Sequence, residues 1–190
     1  MKSMLLTYDY PPTIGGIANI LATFMRIAGD SACVILAPGS SGARAFDAEH
    51  PVRTIRFPTI FRLGAVGKGV SFILGSLWTG FWFCRHRPEV VMAGQVVRAG
   101  LITYLWHRIS GEPYYVWVYG GETSSQFLPN RRLTKLLHRI LRQSRVVFTN
   151  SSFTTAEMRS FGLSSVVEIP RGVDHDVFYP APKNSLYVER

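Results

Sequence analysis

A chain of 190 residues, 47% of them hydrophobic, is long enough for one domain with a sizeable core. Its two cysteines, Cys33 and Cys84, exclude a disulfide framework, show no metal-ligand spacing and fit a reducing compartment, with the cytoplasm as the default. The 21 Lys and Arg against 12 Asp and Glu give a net charge of +9, more than solubility needs, so an anionic partner or an anionic surface is expected.

The N-terminal MKSMLLTYDY carries one Lys and a short apolar run that leads into Asp9 and two prolines, so it reads as a first strand and not as a cleavable leader. GIANILATFMRIAG then predicts a helix with Ile17, Ile20, Leu21, Phe24 and Ala28 on one face and a stop at Gly29. ACVILAP is a second strand, Pro38 to Pro51 an exposed loop, and VRTIRF a third strand. The uncharged stretch from Gly69 to Cys84 is flanked by Lys68 and by Arg85, His86 and Arg87. It falls short of the roughly 17 apolar residues that a membrane span needs as a minimum. Two readings therefore stand for it: a helix buried in the core, or an interfacial contact in which Trp78, Phe81, Trp82 and Phe83 enter the lipid boundary.

PEVVMAG and YYVWVYG are the fourth and fifth strands, with AGLITYLWHRIS a helix between them, and RVVFTN and VVEIP close the series. Between the fifth strand and RVVFTN, RRLTKLLHRILRQ places Leu133, Leu136, Leu137, Ile140 and Leu141 on one face. Its other face carries Arg131, Arg132, Lys135, His138, Arg139 and Arg142, with no acidic residue among them. That face is either solvated or attracted to anionic headgroups or a phosphorylated acceptor. No nucleic-acid-binding motif accompanies the charge. Apolar strands separated by helices predict a doubly wound, Rossmann-like parallel sheet with helices on both faces. The regular pattern ends after GVDHDVFYPAP, so the domain is expected over 1–178, with a linker or the start of a second domain over 179–190.

In such a sheet, ligands bind outside the C-terminal ends of the strands. Four loops lie there. In the first, Gly15 and Gly16 open a helix, where unpaired N–H groups and a partial positive charge suit a phosphate or, equally, where the chain simply turns. Neither the dinucleotide fingerprint nor a P-loop is present. The second loop offers Gln95 and Arg98, and the third contains Gly120 and Gly121 and offers Tyr119, Glu122, Thr123 and Ser124. In the fourth, Thr154 and Glu157 have capping-box spacing, which leaves Asn150 and Ser151 to face the cleft.

YPPTIGGIANIL, VYGGE, TNSSFTTAEMRSFGL and VVEIPRGVDHDVFYP, in this order and spacing, resemble the N-terminal, acceptor-side domain of GT-B glycosyltransferases of family four. The resemblance covers nearly the whole chain. It implies a retaining transfer of a sugar from a nucleotide-sugar donor to a cell-envelope lipid or polysaccharide, without a metal and without a covalent cofactor. Gly15 and Gly16 then approach the donor pyrophosphate or the acceptor, Tyr119 and Glu122 are the catalytic candidates, and Arg171 joins the binding residues. Where the family commonly has a His, this chain has Tyr119, which at an ordinary pKa near 10 is a poor base. The family's second domain, with the nucleotide pocket and a pair of glutamates, does not fit after Val173, so a second domain or a second chain is expected to complete the cleft. A non-catalytic membrane-surface or acceptor-binding module, or an inactive fragment, is the alternative. The expected setting is cytoplasmic, with peripheral contact at the inner face of the membrane and no nucleic-acid partner.

Overall fold

The computed structural model describes residues 3–28, 33–59, 64–121 and 131–172. Seven strands, β1 (Ser3–Leu6), β2 (Cys33–Pro38), β3 (Arg53–Phe57), β4 (Val90–Ala93), β5 (Tyr114–Val118), β6 (Val146–Thr149) and β7 (Val166–Glu168), form one parallel sheet in the order β3-β2-β1-β4-β5-β6-β7. All pairs are parallel, and β1 is central, with Ser3 level with Cys33 on one side and Val90 on the other. Among the described residues six helices connect the strands: α1 (Gly16–Ala28), α2 (Ala43–Glu49), α3 (Gly64–His86), α4 (Arg98–Ser110), α5 (Arg131–Gln143) and α6 (Ser152–Ser160).

The strands read as continuous apolar runs because both sheet faces are covered, and successive side chains serve different cores. Met4, Leu6, Leu36, Val91, Ala93, Val116 and Val118 join the core formed with Phe83 of α3, Ala99 and Ile102 of α4, and Leu137, Ile140 and Leu141 of α5. Leu5, Ile35, Ala37 and Trp117 point the other way and pack with Leu21 and Met25 of α1. Right-handed crossovers explain the division. The chain moves from β1 toward β3 in one direction and from β3 to β7 in the other, so the helices of the two halves fall on opposite faces.

Two expectations are corrected here. The stretch 38–51 is not merely a loop: it contains α2, whose Phe46 packs into the second core and whose Asp47 bonds to β3. The aromatic stretch is a 23-residue helix, but only one line of it is core. Ser71, Gly75, Thr79 and Phe83 are buried at helical spacing, while Ile73, Leu77, Trp78 and Phe81 are exposed. Phe83, fully buried, is unavailable to a lipid boundary, and Trp82 is half-buried. Small residues on the inner line let the helix lie close to the sheet: a Cβ at Gly75 would come within 2.9 Å of the Tyr8 hydroxyl and 3.1 Å of the Phe57 ring. Among the described residues no helix is long and apolar enough to cross a membrane.

Candidate functional site

The strand order reverses between β1 and β4, and the crevice outside their C-terminal ends is the preferred ligand position in an open α/β sheet. Gln95 closes that point. Its side chain is buried (7% exposed), its Oε1 accepts the Tyr8 backbone N–H at 3.0 Å, and its Nε2 donates to Asp9 Oδ2 at 2.6 Å. The Gln95 carbonyl in turn accepts the Gly100 N–H at 2.8 Å, in the first turn of α4. One residue thus ties the loop after β1 to the start of α4. Gly94 beside it is glycine for packing, since a Cβ would meet Leu21 and Thr7 at 2.8 Å.

The loop that follows Asp9 is braced from the far side by Arg56 of β3. Its Nη2 donates to the Pro11 carbonyl at 2.6 Å and to Asp47 Oδ1 at 2.7 Å, its Nε to Asp47 Oδ2 at 3.0 Å, and its Nη1 to the Pro38 carbonyl at 3.1 Å. The same guanidinium lies 5.5 Å from the Tyr10 ring. A fork-shaped cation holding a carboxylate and two carbonyls fixes geometry more firmly than a lysine could. This brace leads directly to Gly15 and Gly16. The described residues give neither glycine an internal reason: none of them lies within 4 Å of a Cβ built at either, and neither has a positive φ. Ile14 before them is 99% exposed.

Arg98 is the first residue of α4, exposed, with its guanidinium 5.6 Å from the Tyr8 ring. A cation at a helix N-terminus works against the helix dipole by roughly 0.3–1 kcal/mol. The cation–π contact offsets part of that cost, and an anion bound beside it would offset more. Burial under α3 pushes the Tyr8 phenol up to about 12, with Arg98 opposing the shift. Burial also raises the Tyr10 phenol.

At the ends of β5 and β6 the other two loops meet. Tyr119 is half-buried, with its ring stacked on Trp117 at 5.9 Å and 9°. Gly120 has φ +92°, and a Cβ there would stand 3.0 Å from Thr154 Oγ1, so the turn after β5 rests on the first turn of α6. Gly121 also has a positive φ, +75°. The cap of α6 is Ser151, whose Oγ accepts the Thr154 N–H at 3.3 Å. The Thr154/Glu157 capping box is thereby corrected, because Thr154 is a buried residue of the first turn. Nor is Asn150 left open to the cleft. It is buried, and with its amide oxygen turned toward Arg171 it accepts from Nη2 at 2.6 Å and Nε at 3.1 Å. Beneath them, Thr149 and Thr155 hydroxyls bond at 2.6 Å, and Thr155 donates to Glu168 Oε2 at 3.2 Å.

The fold therefore brings Gly15, Gly16, Gln95, Arg98, Tyr119, Gly120, Gly121, Asn150, Ser151 and Arg171 to one edge of the sheet. Glu122, Thr123, Ser124 and everything after Gly172, including the 178/179 boundary, lie outside the described residues. Sequence reasoning missed Asp9, Arg56 and Asp47, which carry no motif. An arginine inside a predicted strand, between Ile55 and Phe57, is the one signal that could have pointed to the brace. Among the described residues no three His, Cys, Asp or Glu side chains gather as metal ligands would.

No family model matches the chain. It is 29% identical to the GDP-mannose-dependent alpha-(1-6)-phosphatidylinositol monomannoside mannosyltransferase of Mycolicibacterium smegmatis, over 94% of this chain and 46% of that protein. It is 30% identical to the protein of the same description from Mycobacterium tuberculosis, over 95% of this chain and 47% of that one. Among solved structures, Anabaena HepE in complex with UDP-glucose matches with a TM-score of 0.71 at 14% identity, over 96% of this chain and 47% of that chain. Sucrose-phosphate synthase from Thermosynechococcus elongatus matches with a TM-score of 0.71 at 13% identity, over 95% and 51%. The chain spans about half the length of the curated relatives it matches, and its fold is that of one half of a GT-B glycosyltransferase.

Proposed function

We propose that this chain is the acceptor-side half of a retaining glycosyltransferase that moves a sugar from a nucleotide-sugar donor to a cell-envelope glycolipid. The observation that carries the reading is the pair Gly15–Gly16, glycines for which the described residues give no packing or backbone reason, at the start of α1 beside the β1/β4 switch point and four residues after Pro11, which Arg56 braces. Their N–H groups and the α1 dipole receive the donor pyrophosphate or an acceptor phosphate. Arg98 supplies a second positive group on the other side of the crevice, and Gln95 positions the loop between them.

On the β5–β6 side, Gly120 and Gly121 let the backbone pass close to the acceptor, with Tyr119 as a hydrogen-bonding group and Glu122 as the carboxylate that orients the attacking hydroxyl. Asn150 and Ser151 shape the wall, and Asn150 holds Arg171 near the exit of the domain. In a retaining transfer the donor's glycosidic bond to phosphate breaks and the acceptor oxygen bonds to the anomeric carbon on the same face. The acceptor proton leaves with the nucleoside diphosphate, whose charge the α1 terminus and Arg98 stabilise without a metal. The other half of the cleft, carrying the nucleotide pocket, comes from a second domain beyond residue 178 or from a second chain. The mannosyltransferase relatives make GDP-mannose the first donor to test and a phosphatidylinositol glycolipid the first acceptor. A lipid acceptor and two free cysteines, Cys33 buried and Cys84 exposed, favour the cytoplasmic face of the membrane.

The test is calorimetric titration with GDP-mannose and UDP-glucose, with the chain alone and with a partner carrying the second GT-B domain. Binding and sugar transfer only in the completed pair support the reading. Transfer by the isolated chain refutes the need for a second half, and no binding in either condition refutes the enzyme.

A further inference from the structure

Asp9 and Arg98 are opposite charges, brought to the β1/β4 switch point, that do not close on each other. Asp9 follows the end of β1 and is half-buried, and its Oδ2 accepts from Gln95 Nε2 at 2.6 Å. Its other carboxylate oxygen, Oδ1, has no partner among the described residues. Arg98, exposed at the first position of α4, has its guanidinium 5.6 Å from the Tyr8 ring and makes no hydrogen bond or ion pair among the described residues. Tyr8 links the two: it precedes Asp9 in the chain, its N–H donates to Gln95 Oε1, and its ring lies beside Arg98.

Each charge has a local reason to stay where it is. A charge-assisted bond to the buried Gln95 amide outweighs an exposed ion pair, so Asp9 remains with Gln95. The Tyr8 ring retains Arg98 through its quadrupole. The crevice thus offers an oriented acceptor for a hydroxyl and a cation for an anion, and the two charges cancel. That pairing selects its ligand. A phosphate without hydroxyl groups gains from Arg98 and is repelled by Asp9, while a neutral polyol makes no use of the Arg98 charge. A pyrophosphate sets more negative charge against Asp9 than a singly charged phosphodiester does. A polyol carrying one phosphodiester uses both groups: a hydroxyl donates to Asp9 Oδ1, and the phosphate oxygens accept from the Arg98 fork.

We propose that Asp9 and Arg98 form a specificity-determining pair that reads a polyol bearing a single phosphodiester, with Gln95 positioning the Asp9 carboxylate. The inference rests on the acceptor-side reading above and deepens it, since it gives the acceptor to this pair and leaves the α1 terminus to the donor. Its test contains no nucleotide sugar, no second domain and no transfer step. The transferase reading can therefore fail with the pair intact, and the pair can fail with the transferase intact.

The experiment is an NMR titration of the 190-residue chain, followed at the Gln95 side-chain amide and the Arg98 Nε–H. The probes are glycerophosphoinositol, dimethyl phosphate as a phosphodiester without hydroxyl groups, and dihexanoyl phosphatidylinositol below its micelle concentration as the lipid-borne form. Glycerophosphoinositol should bind about tenfold or more tightly than dimethyl phosphate. Asp9→Asn keeps an acceptor for Gln95 and removes the charge. It should weaken glycerophosphoinositol about tenfold and leave dimethyl phosphate unchanged or tighter, whereas a merely structural role for Asp9 would move both probes the same way. Arg98→Gln, at an exposed position, should weaken both. Circular dichroism checks each fold, and Asp9→Ser replaces Asp9→Asn if the latter misfolds. The lipid-borne probe should respond to both variants as glycerophosphoinositol does: a tighter constant then assigns the site to a lipid headgroup, and an equal one to the free phosphopolyol. Equal affinity for glycerophosphoinositol and dimethyl phosphate overturns the proposal, as does a change of the same sign for both in Asp9→Asn. Tighter binding of inorganic pyrophosphate that Arg98→Gln removes, or no shift with any probe, also overturns it.

Discussion

Gly94 and the pair Gly15–Gly16 stand at the same edge of the sheet and are glycines for opposite reasons. At Gly94 the missing Cβ makes room for the protein itself, for Thr7 after β1 and Leu21 of α1. At Gly15 and Gly16 no described residue stands within 4 Å of where a Cβ would be. A glycine that packing demands reports on the fold. One with no described neighbour at a helix start carries no such report, and under the proposed function it is the place where a ligand from outside would approach.

Substitutions sharpen this contrast. Gly94→Ala forces a methyl to within 2.8 Å of two side chains and should cost about 1–3 kcal/mol in chemical denaturation. A change below half a kcal/mol would show that Leu21 and Thr7 yield, and that Gly94 is not a packing glycine. Gln95→Ala leaves the buried Tyr8 N–H without its acceptor and Asp9 without its donor, a loss of about 1–3 kcal/mol. A similar loss from the near-isosteric Gln95→Glu would attribute part of the effect to a carboxylate facing Asp9. Gly120→Ala meets both a positive φ and Thr154 Oγ1 at 3.0 Å, and should cost about 1–2 kcal/mol.

The loop around Tyr8 and Tyr10 adds a pH prediction. Their phenols are raised by burial, Tyr8 to about 12, so the stability they carry is fully present below the unfolded value near 10. It is lost as pH rises through 10 toward the folded values, because the unfolded chain releases its protons first. Thermal unfolding should therefore fall steeply above pH 10, and Tyr8→Phe should make that fall shallower. Identical alkaline slopes for the two proteins would exclude Tyr8 as a contributor. The smallest effect on stability belongs to Gly15→Ala and Gly16→Ala, which should stay within about 1 kcal/mol of the parent, with Gly16→Ala on the stabilising side. Under the proposed function, either change should remove nucleotide-sugar binding measured with a partner that carries the second GT-B domain. Unchanged binding would return the pair to the status of an ordinary turn.

Local patterns were legible where a short window contains its own explanation. β2, β4, β5 and β6 are runs of mostly apolar residues, and Leu133 to Leu141 repeats at helical spacing, so these elements could be placed from a few neighbours. The site was half legible, because Gly15, Gly16, Gln95, Arg98, Gly120 and Asn150 all stand at strand ends, where the rule for parallel sheets directs attention. Their partners were not. Gln95 reaches Tyr8 and Asp9 across 87 and 86 positions, and Arg56 reaches Pro11 across 45. No window contains such a pair. The α6 cap shows the same limit at short range: Ser151 and Thr154 both begin a plausible capping sequence, and burial of Thr154 against Gly120 decides between them.

By itself the sequence determined the alternation of strands and helices, the glycine-bearing strand ends and a net charge of +9, because these depend on residue type and spacing along the chain. The tertiary structure decided where the charge and the apolar excess go. The reversal of strand order at β1/β4, combined with right-handed crossovers, puts α3, α4 and α5 side by side on one face. Three segments without an acidic residue thereby become one continuous layer. The same reversal opens the crevice at the opposite kind of surface, the sheet edge, where Arg56 bonds to the Pro11 carbonyl and Gln95 to the Tyr8 N–H in the loop that leads to the glycines.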